Sequence, residues 1–402
     1  MLDQIPFEIK LEIMKTLPVK SLLQFRSVSK TWKSLIDSPD FVARYTALQP
    51  QPQHLLVAEL ALDKYVFAIF PDDDTFPQQK LTFTTQKDDS TFPRLLNCLN
   101  LTVRHYRLVG SSHGLVCLYD GDHPQGRRGG HGSVTGMAIL WNLSIRKAVG
   151  VIVPNLGEGM FWTVLGFGIC GETMDPKIVK ITYIIDKEEI DVESVSCIPW
   201  QVEVFTLSTG EWRIPYRNLP RKSIRFGYQP QVVVDGFLYW LATDKFNENG
   251  AYKSYSLIVS FDMTTEEFGE VNLPDNLALV LHTTNHVLQI NKLRKTLVVI
   301  DQNQDVNESV MGLWMRVDGV FTKLFNLKVN TQHGLVWGFR KNGAPIVDTE
   351  DGFSRDLVVY EPSSKNMDGF WIHDIPSWAF VYPYVETLLL LDQPDLMVYN
   401  DV

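Results

Sequence analysis

Cysteine is scarce in this chain of 402 residues, and the four present, Cys98, Cys117, Cys170 and Cys197, stand far apart with no CxxC pair. That spacing offers neither a disulfide framework nor a zinc site and fits reduced, buried thiols. Long apolar runs are missing too. No stretch approaches the roughly 18 consecutive apolar residues of a membrane-spanning helix, and Met1, Leu2 and Asp3 lack the basic start of a secretory signal. The expectation is a soluble protein of the cytoplasm, the nucleus or both, with no membrane partner. Positive charge is not in excess either. The net charge is −10, and residues 1–45 hold seven Lys/Arg against five Asp/Glu, so the acidity lies in the remainder, at 30 against 42. A surface of that sign repels phosphate backbones, and nucleic acid is not expected as a partner.

What the chain does have is core material, 45% apolar and 11% aromatic residues, enough for a globular fold. Its first 45 residues read as three short amphipathic helices. Asp3 is the candidate N-cap of the first, with Pro6 near the first helical position, where a missing N–H costs nothing. Ile9, Ile13 and Leu17 recur at i, i+4 and i+8, with Phe7, Leu11 and Met14 one strip over. Pro18 disfavours the α conformation at Leu17 and ends the helix. Val19, Leu22, Leu23, Phe25 and Val28 give the second its period. Ser29 caps a third, which carries Trp32, Leu35 and Ile36 and stops at Ser38-Pro39. Three helices of this length cannot bury all these groups among themselves. The surplus face either packs on the rest of the chain or docks a separate helical protein, and spacing alone leaves both open.

Beyond Gln49-Pro50-Gln51-Pro52, read as a linker over residues 46–54, the period turns from helical to alternating. Apolar runs at 55–57, 65–70, 115–119, 138–141, 178–185, 201–206, 231–241, 257–261, 297–300 and 357–360 are bounded by turn residues, and no long helix separates them, which disfavours a parallel βαβ fold. A weak repeat of strand, polar turn, strand and Leu/Val-Pro begins at Ile139, Val204 and Ser260, with looser copies at Val359 and Met315. The intervals Trp141 to Phe205 and Phe205 to Phe261 are 64 and 56 residues. Stretches at His113, Gly236 and His333 are candidate inner strands. A β-propeller of six to eight blades over residues 55–402 follows, with seven favoured by dividing by about 50 residues per blade. Two stacked β-sandwiches share the same hairpin periodicity and stay open.

Several residues carry a resemblance. Ile5-Pro6-Phe7-Glu8-Ile9, Ile13, Leu17-Pro18-Val19-Lys20-Ser21-Leu22-Leu23, Phe25-Arg26, Val28-Ser29-Lys30, Trp32 and Ser34-Leu35-Ile36 are similar to the F-box of plant F-box proteins, with Ile5 where Leu is usual. Gly110 to Leu118, Leu140 to Lys147, Gly166-Phe167-Gly168, Val202 to Leu207, Gly236 to Ala242 and Ile258 to Met263 resemble, in order, the kelch-like F-box-associated domain. The chain departs from that pattern at Ile169 to Pro176 and at Val317 to Phe321. The resemblance implies a non-catalytic substrate receptor of a ubiquitin ligase complex, without cofactor. The helical segment would bind a Skp-type adaptor, and through it a cullin and RING ligase, using Ile5, Pro6, Ile9, Leu17, Pro18, Val19, Leu22 and Leu23, with Val28, Trp32, Leu35 and Ile36 shared between interface and internal packing. An unknown client protein would be held on propeller loops close to a ubiquitin-charged enzyme. Two alternatives remain, an F-box protein acting as a non-degradative scaffold and a propeller enzyme with a helical dimerisation segment.

Client capture is expected on the polar connections Asp120 to Gly136, Tyr216 to Tyr228 and Lys245 to Tyr255. Tyr216, Phe226, Tyr228, Phe246 and Tyr252, with Arg217, Arg221 and Arg225, have the chemistry of interface anchors. Catalytic strings are present but out of context. Gly110-Ser-Ser112-His-Gly114 satisfies GxSxG, yet a strand-like run follows where a nucleophile elbow needs a helix. Gly166-Phe-Gly168-Ile-Cys-Gly171 satisfies GxGxxG, but a turn and a strand follow, so no helix N-terminus receives a phosphate. His282 and His286 have zinc-helix spacing without the adjoining Glu, and Gly126 to Gly132 is one basic pair in a mobile connection. Neither a catalytic nor a metal site is expected.

Overall fold

Four helices open the chain. The structure, a computed structural model, describes residues 6–48, 52–61, 64–78, 81–84, 106–120, 136–154, 161–184, 201–221, 223–227, 229–248, 251–278, 286–303, 309–329, 335–351, 354–362, 366–372, 378–394 and 397–399. Helices α1 (Phe7–Lys15) and α2 (Val19–Val28) each begin straight after a proline, Pro6 and Pro18. Asp3, the expected first cap, lies outside the described residues. Ser29 Oγ accepts from Trp32 N at 3.1 Å and caps α3 (Lys30–Ile36). A fourth helix, α4 (Pro39–Ala47), corrects the three-helix reading. Ser38-Pro39 ends one helix and starts another, because Ser38 Oγ accepts from Phe41 N at 3.3 Å and proline fits the first turn.

Behind the helices, six antiparallel sheets form the blades of a propeller. Blade 1 holds His54–Ala61, Lys64–Pro71 and Leu81–Thr84; blade 2, Tyr106–Ser112, Leu115–Asp120, Gly136–Asn142 and Lys147–Val153. Blade 3 holds Phe161–Ile169, Pro176–Ile184, Gln201–Thr206 and Glu211–Arg213. In blade 4, Ile224–Phe226 and Val232–Val234 both pair with Phe237–Glu248, followed by Ala251–Asp262 and Phe268–Val271. Blade 5 is His286–Leu293, Thr296–Asn303, Ser309–Val317 and Val320–Val329, and blade 6 is Val336–Phe339, Pro345–Asp351, Ser354–Glu361 and Asn366–Ile372. The ring closes through Trp378–Tyr384, which becomes the innermost strand of blade 1 in the register His54↔Tyr384 to Leu60↔Trp378. Closure settles the architecture in favour of the propeller over stacked sandwiches and corrects the favoured count from seven blades to six.

The weak repeat is the outer hairpin of a blade. Its copies at Ile139, Val204, Ser260, Met315 and Val359 fall on the third and fourth strands of blades 2 to 6, where Trp141, Phe205 and Phe261 pair with Ala148, Trp212 and Phe268. Of the expected inner strands, the stretches from His113 and Gly236 are second strands, each entered through a turn with φ of 46–81° at His113-Gly114 and Asp235-Gly236. Only the stretch leading into Val336–Phe339 is innermost.

Apolar clusters fill the spaces between neighbouring blades, and a polar link crosses each junction. Tyr384 Oη and Ser144 Oγ stand 2.7 Å apart between blades 1 and 2, and Trp212 Nε1 donates to Ile152 O at 2.8 Å between 3 and 2. Lys177 Nζ reaches Glu266 at 2.8 Å between 3 and 4, and Gln229 Nε2 donates to Leu288 O at 2.7 Å between 4 and 5. Gln289 Oε1 accepts from Val336 N at 3.3 Å between 5 and 6, and Arg340 Nε donates to Asp72 at 2.8 Å where 6 meets 1. These links satisfy groups that burial would otherwise orphan.

Strand alternation gives the ring two faces. Turns from first to second and from third to fourth strand open on one face; hairpin tips from second to third strand and crossings between blades open on the other. His54 and Tyr384, a cross-strand pair, both lie at the first face, so the helices and the segment after Tyr384 lie there too.

Candidate binding surfaces

The helical segment divides its apolar residues between two neighbours. Met14, Val19, Leu22, Ile36, Phe41, Val42 and Tyr45 join one core with residues of blades 2 and 3 and with Leu388–Leu391. Tyr45 Oη donates to Leu17 O at 2.9 Å, and Arg26 holds Asp37 through two hydrogen bonds, one of 2.8 Å, tying α2 to the end of α3. On the outward side Ile9 and Ile13 are 51% exposed, Phe25 40% and Val28 70%. Leu17, Leu23, Trp32 and Leu35 are half-buried between the two surfaces, and Pro6 and Pro18 are exposed.

The expected adaptor set therefore splits. Val19, Leu22 and Ile36 are buried in the chain's own core and offer a partner no surface, which corrects their placement at an interface. Ile9 and Val28 stand outward, and Ile5 lies outside the described residues. Ile13 and Phe25 were missed as surface residues. The signal was there, since Ile13 is four residues from Ile9 and Phe25 three from Val28, hence on the same helical faces.

Most of the expected client residues lie on or beside the crossing from blade 3 to blade 4. Tyr216 is fully exposed and Ile214 beside it is 71% exposed. Arg217 reaches Glu267 at 3.2 Å, and Arg221 bridges Asp244 at 3.2 Å and Glu270 at 2.8 Å. Arg225 Nη1 donates to Ile224 O at 3.1 Å. Phe226 is corrected from anchor to core, because it is buried edge-on against Trp240 with ring centroids 6.1 Å apart. The connection Lys245 to Tyr255 is no loop either: strands run to Glu248 and resume at Ala251, with Phe246↔Lys253 and Asn247↔Tyr252 in register. Tyr228 and residues 121–135 lie outside the described residues, as do the side chains of Phe246 and Tyr252.

The catalytic strings find the context their neighbours implied. Ser112 ends a strand, 3.0 Å from His113 Nδ1, and another strand follows the turn. Gly166 and Gly168 lie within Phe161–Ile169, where a Cβ at Gly166 would stand 2.2 Å from the Trp240 ring and one at Gly168 2.9 Å from Leu238, so these glycines admit the next blade. His282 and residues 126–132 lie outside the described residues, and among the described residues no cluster of three His, Cys, Asp or Glu is placed to hold a metal. No helix among them is long and apolar enough to cross a membrane. Cys117 is fully buried, and burial pushes its thiol well above the ordinary range. It should resist alkylation at pH 8 in the native chain and react once denatured, as mass mapping of the labelled cysteines would report.

Two family models match the chain. That of the F-box domain covers residues 2–44, and that of the F-box associated beta propeller domain covers residues 135–372, more than half of the chain. The chain belongs to the F-box proteins with an F-box-associated β-propeller. Its relatives include two from Arabidopsis thaliana. F-box protein At4g19940 is 23% identical over 79% of this chain and 70% of its own length, and F-box protein At2g21930 is 25% identical over 66% of this chain and 59% of its own. Among solved structures, TolB from Acinetobacter baumannii aligns with a TM-score of 0.40 at 10% identity, over 86% of this chain and 70% of that one. The F-box match takes in α1 to α3 and the first two thirds of α4. The propeller match starts inside blade 2 and ends with blade 6, leaving blade 1 and everything after Ile372 outside it.

Proposed function

We propose that this F-box protein is the substrate-recognition subunit of a Skp, cullin and F-box ubiquitin ligase, with no chemistry of its own. The observation that carries the reading is that Ile9, Ile13, Phe25 and Val28 of the F-box point outward, while Met14, Val19, Leu22, Ile36, Phe41, Val42 and Tyr45 of the same segment are buried against the propeller. Two large apolar side chains left in water on each of two successive helices are the surface we assign to docking. The Skp-type adaptor bound there brings a cullin and a RING subunit, and the client is held on propeller loops. Transfer then follows from raised local concentration near the charged enzyme.

Among the residues expected to hold a client, Tyr216 is the anchor best placed to act, being aromatic and free of the propeller core. Tyr216→Ala should leave stability within about 0.5 kcal/mol and lower client capture about tenfold. Proximity labelling under proteasome inhibition is the measurement. Proteins enriched by the wild type should be lost with Tyr216→Ala and should fail to accumulate when residues 1–45 are deleted. Clients equally enriched and equally degraded in the deletion would sink the receptor reading.

A further inference from the structure

We propose that the C-terminal strap, Tyr384–Leu391, is the positioning element that fixes the F-box at one angle to the propeller, with Thr387 its central contact. The inference deepens the receptor reading and rests on it for its functional meaning. The strap lies outside both matched family stretches. After the closing strand the chain crosses the helical face of blade 2, pressed so closely on the turn below that a Cβ at Gly114 would stand 2.2 Å from Val385 O and 2.9 Å from Thr387 Cγ2. With φ of +79°, that glycine is required by its backbone as well as by the strap.

Blade 2 grips the strap through polar groups. The buried Asn142 amide donates to Thr387 O at 2.9 Å and to Leu389 O at 2.8 Å, while its oxygen accepts from Ser144 N at 2.9 Å. Lys147 Nζ donates to Leu391 O at 3.1 Å. Farther on, Val398–Tyr399 pairs in parallel with Gly150 and Val151, and the Tyr399 ring meets Phe205 edge-on at 5.4 Å. The upper side of the strap belongs to the F-box. Thr387 Oγ1 stands 3.3 Å from Thr46 Oγ1 of α4, both residues buried, and Leu388–Leu391 share one core with Phe41, Val42 and Tyr45.

Swinging the helices away would break the contact between the Thr46 and Thr387 hydroxyls and open the apolar core shared by α4 and Leu388–Leu391 to water, so the joint has one favoured angle where a bare linker would allow many. A fixed angle sets the gap between client and charged enzyme, the quantity on which transfer by proximity depends.

The test is a distance distribution by pulsed electron spin resonance on the full chain, with genetically encoded labels at the exposed Lys30 and Val320. Wild type should give one narrow peak. Thr387→Ala combined with Asn142→Ala should at least double its width, while Thr387→Ser keeps it narrow. Thr46→Val, which keeps volume and removes only the F-box hydroxyl, should broaden it about 1.5-fold and serves where the double variant fails to fold. A wild-type peak as broad as that of the variants, or no broadening in any of them, overturns the proposal. Adaptor capture on the same samples should be unchanged by all the variants. A wild type with the narrow peak that captures no adaptor overturns the receptor reading and leaves the strap standing.

Discussion

Aspartate at both Ile9 and Val28 should lower capture by a Skp-type adaptor at least about 100-fold while leaving the thermal midpoint of the chain unchanged. Fully burying an isoleucine or valine side chain is worth about 1.5–3 kcal/mol, and with Ile9 51% and Val28 70% exposed the two together contribute about 2–4 kcal/mol, a factor of about 20–400. Each carboxylate adds its own desolvation cost at the interface. Stability is spared because both side chains are more than half exposed in the free chain. The choice of positions matters. Aspartate at Leu22, a residue the sequence also marks as an adaptor contact, would place a charge in the core shared with blades 2 and 3 and abolish capture by unfolding the segment. Titration calorimetry with purified adaptor, alongside a melting curve, separates the two causes. Retention of full affinity by the Ile9→Asp, Val28→Asp chain would remove the docking surface from consideration.

That distinction explains how far the sequence could be read. Helical spacing at Ile9, Ile13, Leu17 and Leu22 shows that these residues are apolar on helices, and nothing in a local period says which neighbour covers them. The neighbour that decides is remote: Thr46 meets Thr387 across 341 residues of chain. The outer hairpins were legible because strand, turn and strand are local, and five copies repeat. Blade number was not, because a generic period of about 50 residues was divided into the chain in place of its own intervals of 64 and 56. His54 to Tyr384 shared among six blades gives about 55 residues each. The fourth helix was hidden by a proline that serves equally as a stop and a start. Phe226 looked like an interface anchor because aromatic and arginine residues mark a surface only when they are exposed, and its burial against Trp240 comes from a strand in the same blade.

The largest expected loss of stability comes from Lys180→Met. Lys180 and Glu203 are directly cross-strand neighbours in blade 3, their charged atoms 2.5 Å apart, with the lysine side chain 1% and the glutamate side chain 12% exposed. Methionine fills most of the lysine's volume, so packing is nearly kept and the change isolates the charge. It leaves the Glu203 carboxylate buried without its cation, and breaking a buried pair in this way costs about 3–5 kcal/mol. The pair itself is a different quantity. Desolvation offsets much of its attraction, so Lys180→Met combined with Glu203→Leu should recover most of the loss and return within about 1 kcal/mol of wild type. Denaturant midpoints for the four chains of this cycle give both numbers, with a large coupling between the sites as the signature. A cost below about 1 kcal/mol for the single variant would mean that Glu203 finds water or another donor, and that blade 3 opens there more readily than its register implies.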